Sequence, residues 1–386
     1  MNLGLSWQLS SYTGWGLFGI HAVTRMIGSG KAFPVLLSEA NVDSELIVDP
    51  LQRALLISVL RASEPFRRQL APDAQLDFDV LVALGDDLQA AAPYAGRARR
   101  EIGVVFLESS ALSREGRARG ESQARLVAGS TWVAEVLRSH GLDRVTTVLQ
   151  GVDPRFFHPA PRLGLFPGRF VVFSGGKLEY RKGQDIVLAA FRRFHQRHPD
   201  ALLVASWQNL WPQHAASIVA GRHVAGPPGV DANGQLDIGG WLAANGLPAG
   251  SFLDIGLAPN ALMAPALNEI DVAVFTNRCE GGTNLVAMES MAKGVPTILS
   301  ANTGHLDLIG GDTCFALTRQ RPVAGLPGIA TDGWGESDVD EVVETLERVY
   351  ADRAEARRRG EAGAAMMANL SWPTQIDRLL AEVERA

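Results

Sequence analysis

Val272-Ala273-Val274-Phe275 runs into Cys279-Glu280-Gly281-Gly282-Thr283-Asn284-Leu285-Val286-Ala287-Met288-Glu289, and Gly294-Val295-Pro296 follows. The apolar run reads as a buried strand, the glycines as a loop, and Gly294 with Pro296 as the stop of a short helix. In such a strand, loop and helix, Gly281 and Gly282 let the backbone approach a ligand closely. The N–H groups of Thr283, Asn284 and Leu285 open the helix and favour a phosphate. Glu280 and Glu289 bracket that anion site, where carboxylates would accept bonds from sugar hydroxyls. An anion cradle flanked by two carboxylates suits a sugar nucleotide, and a plain capped helix with solvent-facing glutamates is the competing reading.

A second loop, Ser174-Gly175-Gly176-Lys177-Leu178-Glu179-Tyr180-Arg181-Lys182-Gly183, follows another apolar run, Phe170-Val171-Val172-Phe173. It is expected to join strand to helix at the carboxyl end of a parallel sheet, where such sheets bind ligands. Lys177 and Lys182 are then spaced to converge on one diphosphate and to offset charge on a leaving group.

Working outward, strands are expected at Leu3–Trp7, Pro34–Leu37, Val80–Leu84, Gly103–Leu107, Leu126–Ala128 and Val145–Leu149. Helical patterns separate them, including one capped by Ser130 and ended by Gly141, so the first half is an α/β parallel sheet. Gly151-Val152-Asp153-Pro154 and the prolines that follow break the pattern. Residues 1–160 form a first domain and 161–371 a second, whose further strands are Leu202–Ala205, Phe252–Ile255 and Thr297–Leu299. Residues 372–386 form a terminal helix expected to return to the first domain. Residues 208–250 read as a short helix and a long loop, with Trp207, Trp211 and Trp241 packing that insertion in preference to lining a cleft.

At 386 residues the chain fits two domains, and 46% hydrophobic with 20% charged residues excludes a disordered or fibrous chain. A formal charge of −6 argues against a general nucleic-acid binder. Two cysteines, Cys279 and Cys314, and the lack of a basic-then-apolar leader fit a reducing cytoplasm. No apolar run reaches membrane-spanning length, so any membrane contact is peripheral, at the inner face. The arginine-rich segment from Arg97 to Arg125 is a solvated face, with an anionic lipid or phosphorylated acceptor as the alternative.

Gly14-Trp15-Gly16-Leu17-Phe18-Gly19 matches a dinucleotide fingerprint, with Glu39 near the ribose-binding distance. The glycines start too far beyond the first strand, and Trp15 and Phe18 are bulky where pyrophosphate would approach, so a flexible substrate loop is expected. Asp77-Phe78-Asp79 and Asp338-Val339-Asp340 read as strand-opening and helix-capping residues in preference to metal ligands. The histidines show no ligand spacing, so no metal site is expected.

Four ordered features together resemble family 4 of the retaining, GT-B-fold glycosyltransferases. They are Ser130–Gly141 with Gly151-Val152-Asp153, then Phe157-His158-Pro159, then Gly176-Lys177-Leu178 through Lys182-Gly183, and last Glu280–Pro296 with Asn302-Thr303-Gly304. The resemblance implies two Rossmann-like domains facing across a cleft, the second holding a nucleotide sugar and the first an acceptor. It implies glycosyl transfer with retained anomeric configuration, no metal and no cofactor, from a UDP- or GDP-linked donor. The acceptor would be a carbohydrate or lipid-linked hydroxyl, in cell-surface polysaccharide or glycolipid synthesis. Lys177, where an arginine is usual, and Lys182 would hold the donor diphosphate beside Gly175 and Gly176.

The family's two glutamates usually have seven residues between them, whereas eight separate Glu280 from Glu289. A bulge at Gly281-Gly282 is expected to absorb the extra residue; otherwise main chain holds the donor sugar. The segment Gly282–Glu289 also resembles the donor loop of trehalose-phosphate synthases. That likeness gives Glu289 the ribose and the Gly282–Leu285 main chain the sugar and phosphate. Where many relatives carry a histidine, Glu108 stands, grouped with Gly14, Trp15 and Gly16 as an acceptor-side loop. The departures leave two alternatives, a nucleotide-sugar epimerase of the same fold and a catalytically silent binding subunit.

Overall fold

A computed structural model describes residues 2–38, 49–326 and 330–386. The chain divides into two compact units. The first comprises residues 1–151, 259–261 and 370–386, and the second 152–258 and 262–369. The division at Gly151/Val152 falls earlier than the expected 160/161, at the point where Gly151-Val152-Asp153-Pro154 interrupts the strand and helix alternation. The terminal helix Trp372–Arg385 belongs to the first unit. There a Cβ on Gly151 would collide with the Trp372 main chain at 2.5 Å from its nitrogen.

The first unit is built on six parallel strands, β1 (Asn2–Ser6), β2 (Phe33–Leu36), β3 (Asp79–Leu84), β4 (Glu101–Val105), β5 (Arg125–Ala128) and β6 (Val145–Thr147). Their order in the sheet is β2-β1-β3-β4-β5-β6. Because the chain leaves β1 toward one edge and β3 toward the other, the crossover crevice lies at the carboxyl ends of those two strands. Every residue of β3 is buried, as a strand covered on both faces requires.

Gly14, Trp15 and Gly16 do not form the expected loop. They are the first turn of a helix, Gly14–Ser29, capped by the Thr13 side chain, which accepts from the Gly16 amide at 3.0 Å. The glycines serve packing, since a Cβ on Gly16 would strike the Ser10 backbone and one on Gly19 would sit 2.7 Å from the Trp7 ring. Glu39 lies outside the described residues.

The second unit repeats the plan with β7 (Phe170–Gly175), β8 (Ala201–Ser206), β9 (Phe252–Asp254), β10 (Val272–Phe275), β11 (Thr297–Ser300) and β12 (Phe315–Leu317). These strands are parallel, in the order β12-β11-β10-β7-β8-β9. β12 and a small antiparallel ribbon, β13 (Gln320–Pro322) with β14 (Gly335–Ser337), are three residues each, too short to show a period in sequence. The core joins Phe170 and Val172 to Ile186, Phe191 and Phe194 of helix Gln184–His195 and to Leu346 and Val349 of helix Val339–Ala351. Trp207 and Trp241 are buried in it, 6.3 Å apart between ring centroids, whereas Trp211 is 46% exposed.

The two aspartate pairs are structural. Asp79 opens β3 as a buried partner of Arg99 and Arg100, and Asp338 caps helix Val339–Ala351. The arginine-rich segment is largely paired as well, Arg117 with Glu121, Arg119 with Asp87 and Arg125 with Glu382.

Candidate functional site

In the second unit β7 and β10 are hydrogen-bonded neighbours, and the chain leaves them toward opposite edges of the sheet. The loops after these strands therefore meet at the crossover crevice. They carry the two motifs singled out in the sequence. Two hydrogen bonds stitch them together: Arg278 N donates to Arg181 O at 2.7 Å, and Thr276 Oγ1 donates to Gly183 O at 2.6 Å. Gly183 adopts φ +70°, and a Cβ there would strike the Thr276 carbonyl oxygen, so the close approach of the loops requires glycine. A 3-10 turn, Tyr180–Lys182, then directs Lys182 inward.

The result is a chain of alternating charges. Lys177 Nζ lies 3.3 Å from Glu179, Glu179 is 2.6 Å from Arg181, Arg181 is 3.4 Å from Glu280, and Glu280 Oε1 is 2.5 Å from Lys182 Nζ. Asn277 Nδ2 also donates to Glu280 Oε1. Burial alone would raise the Glu280 carboxyl, but Lys182, Arg181 and, more weakly, His305 override it and hold it down to about 2. Burial likewise opposes ionisation of Glu179, and Arg181 with the two lysines reverses that. Lys182 is lowered too, its ammonium made easier to deprotonate by burial although Glu280 counteracts this. Lys177, at the outer end, keeps 38% of its side chain exposed. Beneath the ladder, wholly buried Arg278 pairs with Asp185 at 2.7 Å and with Glu336 at 2.8 Å, and its guanidinium sits 4.0 Å from the Tyr180 ring centroid.

Gly281 and Gly282 do not take the expected positive-φ bulge. The left-handed residue is Asn284, at φ +63°, where the chain enters helix Leu285–Ala292. An asparagine tolerates this conformation because its side chain bonds locally. Asn284 Nδ2 lies 3.0 Å from His305 Nε2, and His305 Nδ1 lies 3.2 Å from Ser300 O. That network is satisfied by a neutral imidazole with its proton on Nδ1 donating to the carbonyl. Burial, reinforced by Lys182 against the pull of Glu280, lowers His305 to about 4. The adjoining residues are locked to Glu280: its amide donates to Thr303 Oγ1 at 2.8 Å, and Gly304 N donates to its carbonyl at 3.0 Å. A Cβ on Gly304 would overlap the Gly282 carbonyl oxygen.

Gly176, Lys177, Lys182, Glu280, Gly281, Gly282, Thr283 and Asn284 thus lie on two adjoining loops, Gly175 ends β7, Leu285 opens the helix, and Glu289 is a buried residue of it. Gly14, Trp15, Gly16 and Glu108 belong to the first unit, where the Trp15 ring packs edge-on at 4.7 Å against Phe106 of the loop bearing Glu108. Sequence reasoning missed Glu179, Arg181, Asn277 and His305. The run Glu179-Tyr180-Arg181-Lys182 was a signal for the first two, since three charges in four residues of a buried loop need partners. Among the described residues no group of three or more His, Cys, Asp or Glu side chains is arranged to hold a metal.

Residues 260–379 match the model of "Family 4 Glycosyltransferase in conflict systems". The chain is 27% identical over 290 residues to a D-inositol 3-phosphate glycosyltransferase of Thermobifida fusca, covering 69% of this chain and 57% of that protein. Another of the same name, from Segniliparus rotundus, is 26% identical over 63% of this chain and 47% of that protein. The chain therefore spans about half the length of the curated relatives it matches. Among solved structures it is similar to sucrose-phosphate synthase of Thermosynechococcus elongatus (TM-score 0.67, 16% identity, 100% and 98% of the two chains). It is also similar to Anabaena HepE in complex with UDP-glucose (TM-score 0.66, 13% identity, 100% and 99%). These neighbours have the GT-B fold, two Rossmann-like α/β domains, which this chain shares.

Proposed function

We propose that this chain, which belongs with the family 4 glycosyltransferases of GT-B fold, moves a sugar from a nucleotide-sugar donor to an acceptor hydroxyl with retention of configuration. The observation that carries this reading is the ladder from Lys177 to Lys182 at the crossover crevice of the second unit. It puts two ammoniums and two ionised carboxylates beside a glycine loop that opens a helix. A diphosphate and a polyhydroxylated ring are the two halves of a nucleotide sugar.

In this mechanism Lys182 and Lys177 neutralise charge on the departing diphosphate, and amides opening helix Leu285–Ala292 take the phosphate and sugar. Glu280 is held ionised to accept bonds from sugar hydroxyls, and Glu289 takes the ribose. The leaving diphosphate helps to deprotonate the acceptor on the same face, so neither a metal nor a cofactor is needed. UDP- or GDP-linked sugars are the proposed donors; HepE was solved with UDP-glucose. The relatives' name puts D-inositol 3-phosphate among their substrates, and for this chain it supports a hydroxylated carbohydrate or lipid-linked acceptor bound by the first unit. No helix among the described residues is long and apolar enough to cross a membrane, and contact with the inner face is proposed as peripheral.

Screening UDP-, GDP-, ADP- and dTDP-sugars for thermal stabilisation, then incubating the stabilising donor with candidate acceptors, tests the proposal. A glycosylated product whose anomeric configuration matches the donor supports it. Donor isomerised without any acceptor would replace transfer with epimerisation, and binding without turnover would leave a silent subunit.

A further inference from the structure

Residues 207–217, which follow β8, are pinned to the Lys177 loop at three points. Leu178 N donates to Trp207 O at 3.2 Å, Asn209 Nδ2 donates to Leu178 O at 3.0 Å, and Tyr180 N donates to Ser217 Oγ at 3.0 Å. The buried Asn209 side chain also accepts from the Trp211 amide at 2.9 Å, so one amide group fixes both the diphosphate loop and the Trp211 backbone. Pro212 follows and opens a short helix. Trp211 is therefore held in place by its backbone, yet the residue stays 46% exposed beside Leu210 at 44%, in contrast to buried Trp207 and Trp241. Lys177 Nζ sits 5.9 Å from the centre of its ring.

A single exposed aromatic is ordinary on a protein surface. One that is anchored to a diphosphate-binding loop, with that loop's lysine over its ring, is not placed for packing. We propose that Trp211 is the stacking platform for the nucleobase of the donor. The inference rests on the donor-site reading above and adds to it a residue on the base side of the diphosphate. Three observations set the side. The Glu280 and Asn284 loop, assigned to the sugar, follows β10 on one flank of β7, whereas Trp211 follows β8 on the other. Lys177 stands between Trp211 and the rest of the charge ladder. Ser206 Oγ also donates to Gly256 O at 3.1 Å, which brings the turn after β9 to the same flank and closes it on the outer side. Stacking on an indole face accepts any base, so Trp211 gives affinity for the nucleotide without choosing it.

The test titrates UDP, GDP, ADP, dTDP and inorganic pyrophosphate into wild type, Trp211→Ala and Trp211→Phe by calorimetry. Thermal unfolding checks that the variants are folded, which a surface position favours. Trp211→Ala is expected to bind the preferred nucleoside diphosphate about tenfold more weakly or worse while binding pyrophosphate as wild type does. Trp211→Phe should keep most of the affinity. Wild-type nucleotide affinity in Trp211→Ala would overturn the inference and leave the donor site intact. Equal weakening for pyrophosphate would also overturn it, making the ring a support of the Lys177 loop. A wild-type protein that binds none of the five would overturn the donor-site reading itself.

Discussion

The Lys182 ammonium and the Glu280 carboxylate meet at 2.5 Å, with 14% and 7% of their side chains exposed. Lys182 has three N–H donors, so it can keep this contact and still reach a diphosphate oxygen. The pairing changes what a truncation measures. Removing Glu280 leaves the buried Lys182 ammonium without its ion-pair partner, at about 3–5 kcal/mol, whereas removing Lys182 leaves Glu280 still bonded to Arg181 and Asn277 and costs less. Lys182→Met and Glu280→Gln are each expected to lower stability in urea unfolding, and the double variant to recover much of that loss while turnover stays at least about 10²-fold down. Stability losses that simply add in the double variant would show that the two groups do not rely on each other.

His305 is expected to act on Asn284 and not on a proton in flight. Its ring nitrogens are taken by Asn284 and Ser300, and its basicity is lowered to about 4. His305→Leu should leave a buried amide unpaired and cost about 1–3 kcal/mol, with weaker donor binding. His305→Gln, which can still accept from Asn284, should restore most of the affinity. Because the imidazole stays neutral across the range, the pH–rate profile from 5.5 to 8 should have the same shape in wild type and His305→Gln. A lost inflection would give the histidine a proton-transfer role.

Asp79 offers a pH test of the first unit. Burial pushes its carboxyl up, but Arg99 and Arg100 more than compensate and hold it at about 2. A carboxyl depressed on folding contributes stability above its unfolded value, near 4, and loses that contribution as pH falls from there toward about 2. Asp79→Asn should therefore cost about 2 kcal/mol at pH 7 in urea unfolding, and the gap from wild type should narrow below pH 4. A gap independent of pH would mean that the loss is one of packing.

Both sheets, apart from the three-residue edge strand β12, could be read from the sequence because buried parallel strands such as Phe170–Phe173 and Val272–Phe275 are unbroken apolar runs between loops with strong punctuation. Both loops of the site were visible for the same reason: glycine and charge stand next to those runs. Which charges meet was not visible. Arg181 reaches Glu280, and His305 reaches Asn284, only through the pairing of β7 with β10 and of β10 with β11, which no local pattern encodes. The Gly14–Gly19 segment misled because glycine serves two purposes. Its spacing suits a phosphate turn or a helix lying close on a strand, and the Thr13 cap with the Ser10 and Trp7 contacts decides for the helix.

The division of labour between the two glutamates is the sharpest remaining test of the donor site. Asn284, and not the glycines, takes the left-handed conformation between Glu280 and Glu289, at the helix entrance. Glu280 stands in the ladder, ionised and fixed by Lys182, Arg181 and Asn277. A carboxylate serving the sugar matters to the donor and its transition state, and hardly to a nucleoside diphosphate that has no sugar. Glu280→Gln is therefore expected to reduce turnover by about 10² or more with nearly unchanged affinity for the bare nucleoside diphosphate. Glu289→Gln should do the reverse, weakening nucleoside diphosphate and donor alike through loss of its ribose contacts, about tenfold for charged hydrogen bonds of this kind. Calorimetry with the nucleoside diphosphate and a rate assay on the two variants measure both effects. If Glu280→Gln turns over like wild type, its carboxylate belongs to the ladder's internal charge balance alone, and main chain from Gly281 to Leu285 must hold the donor sugar.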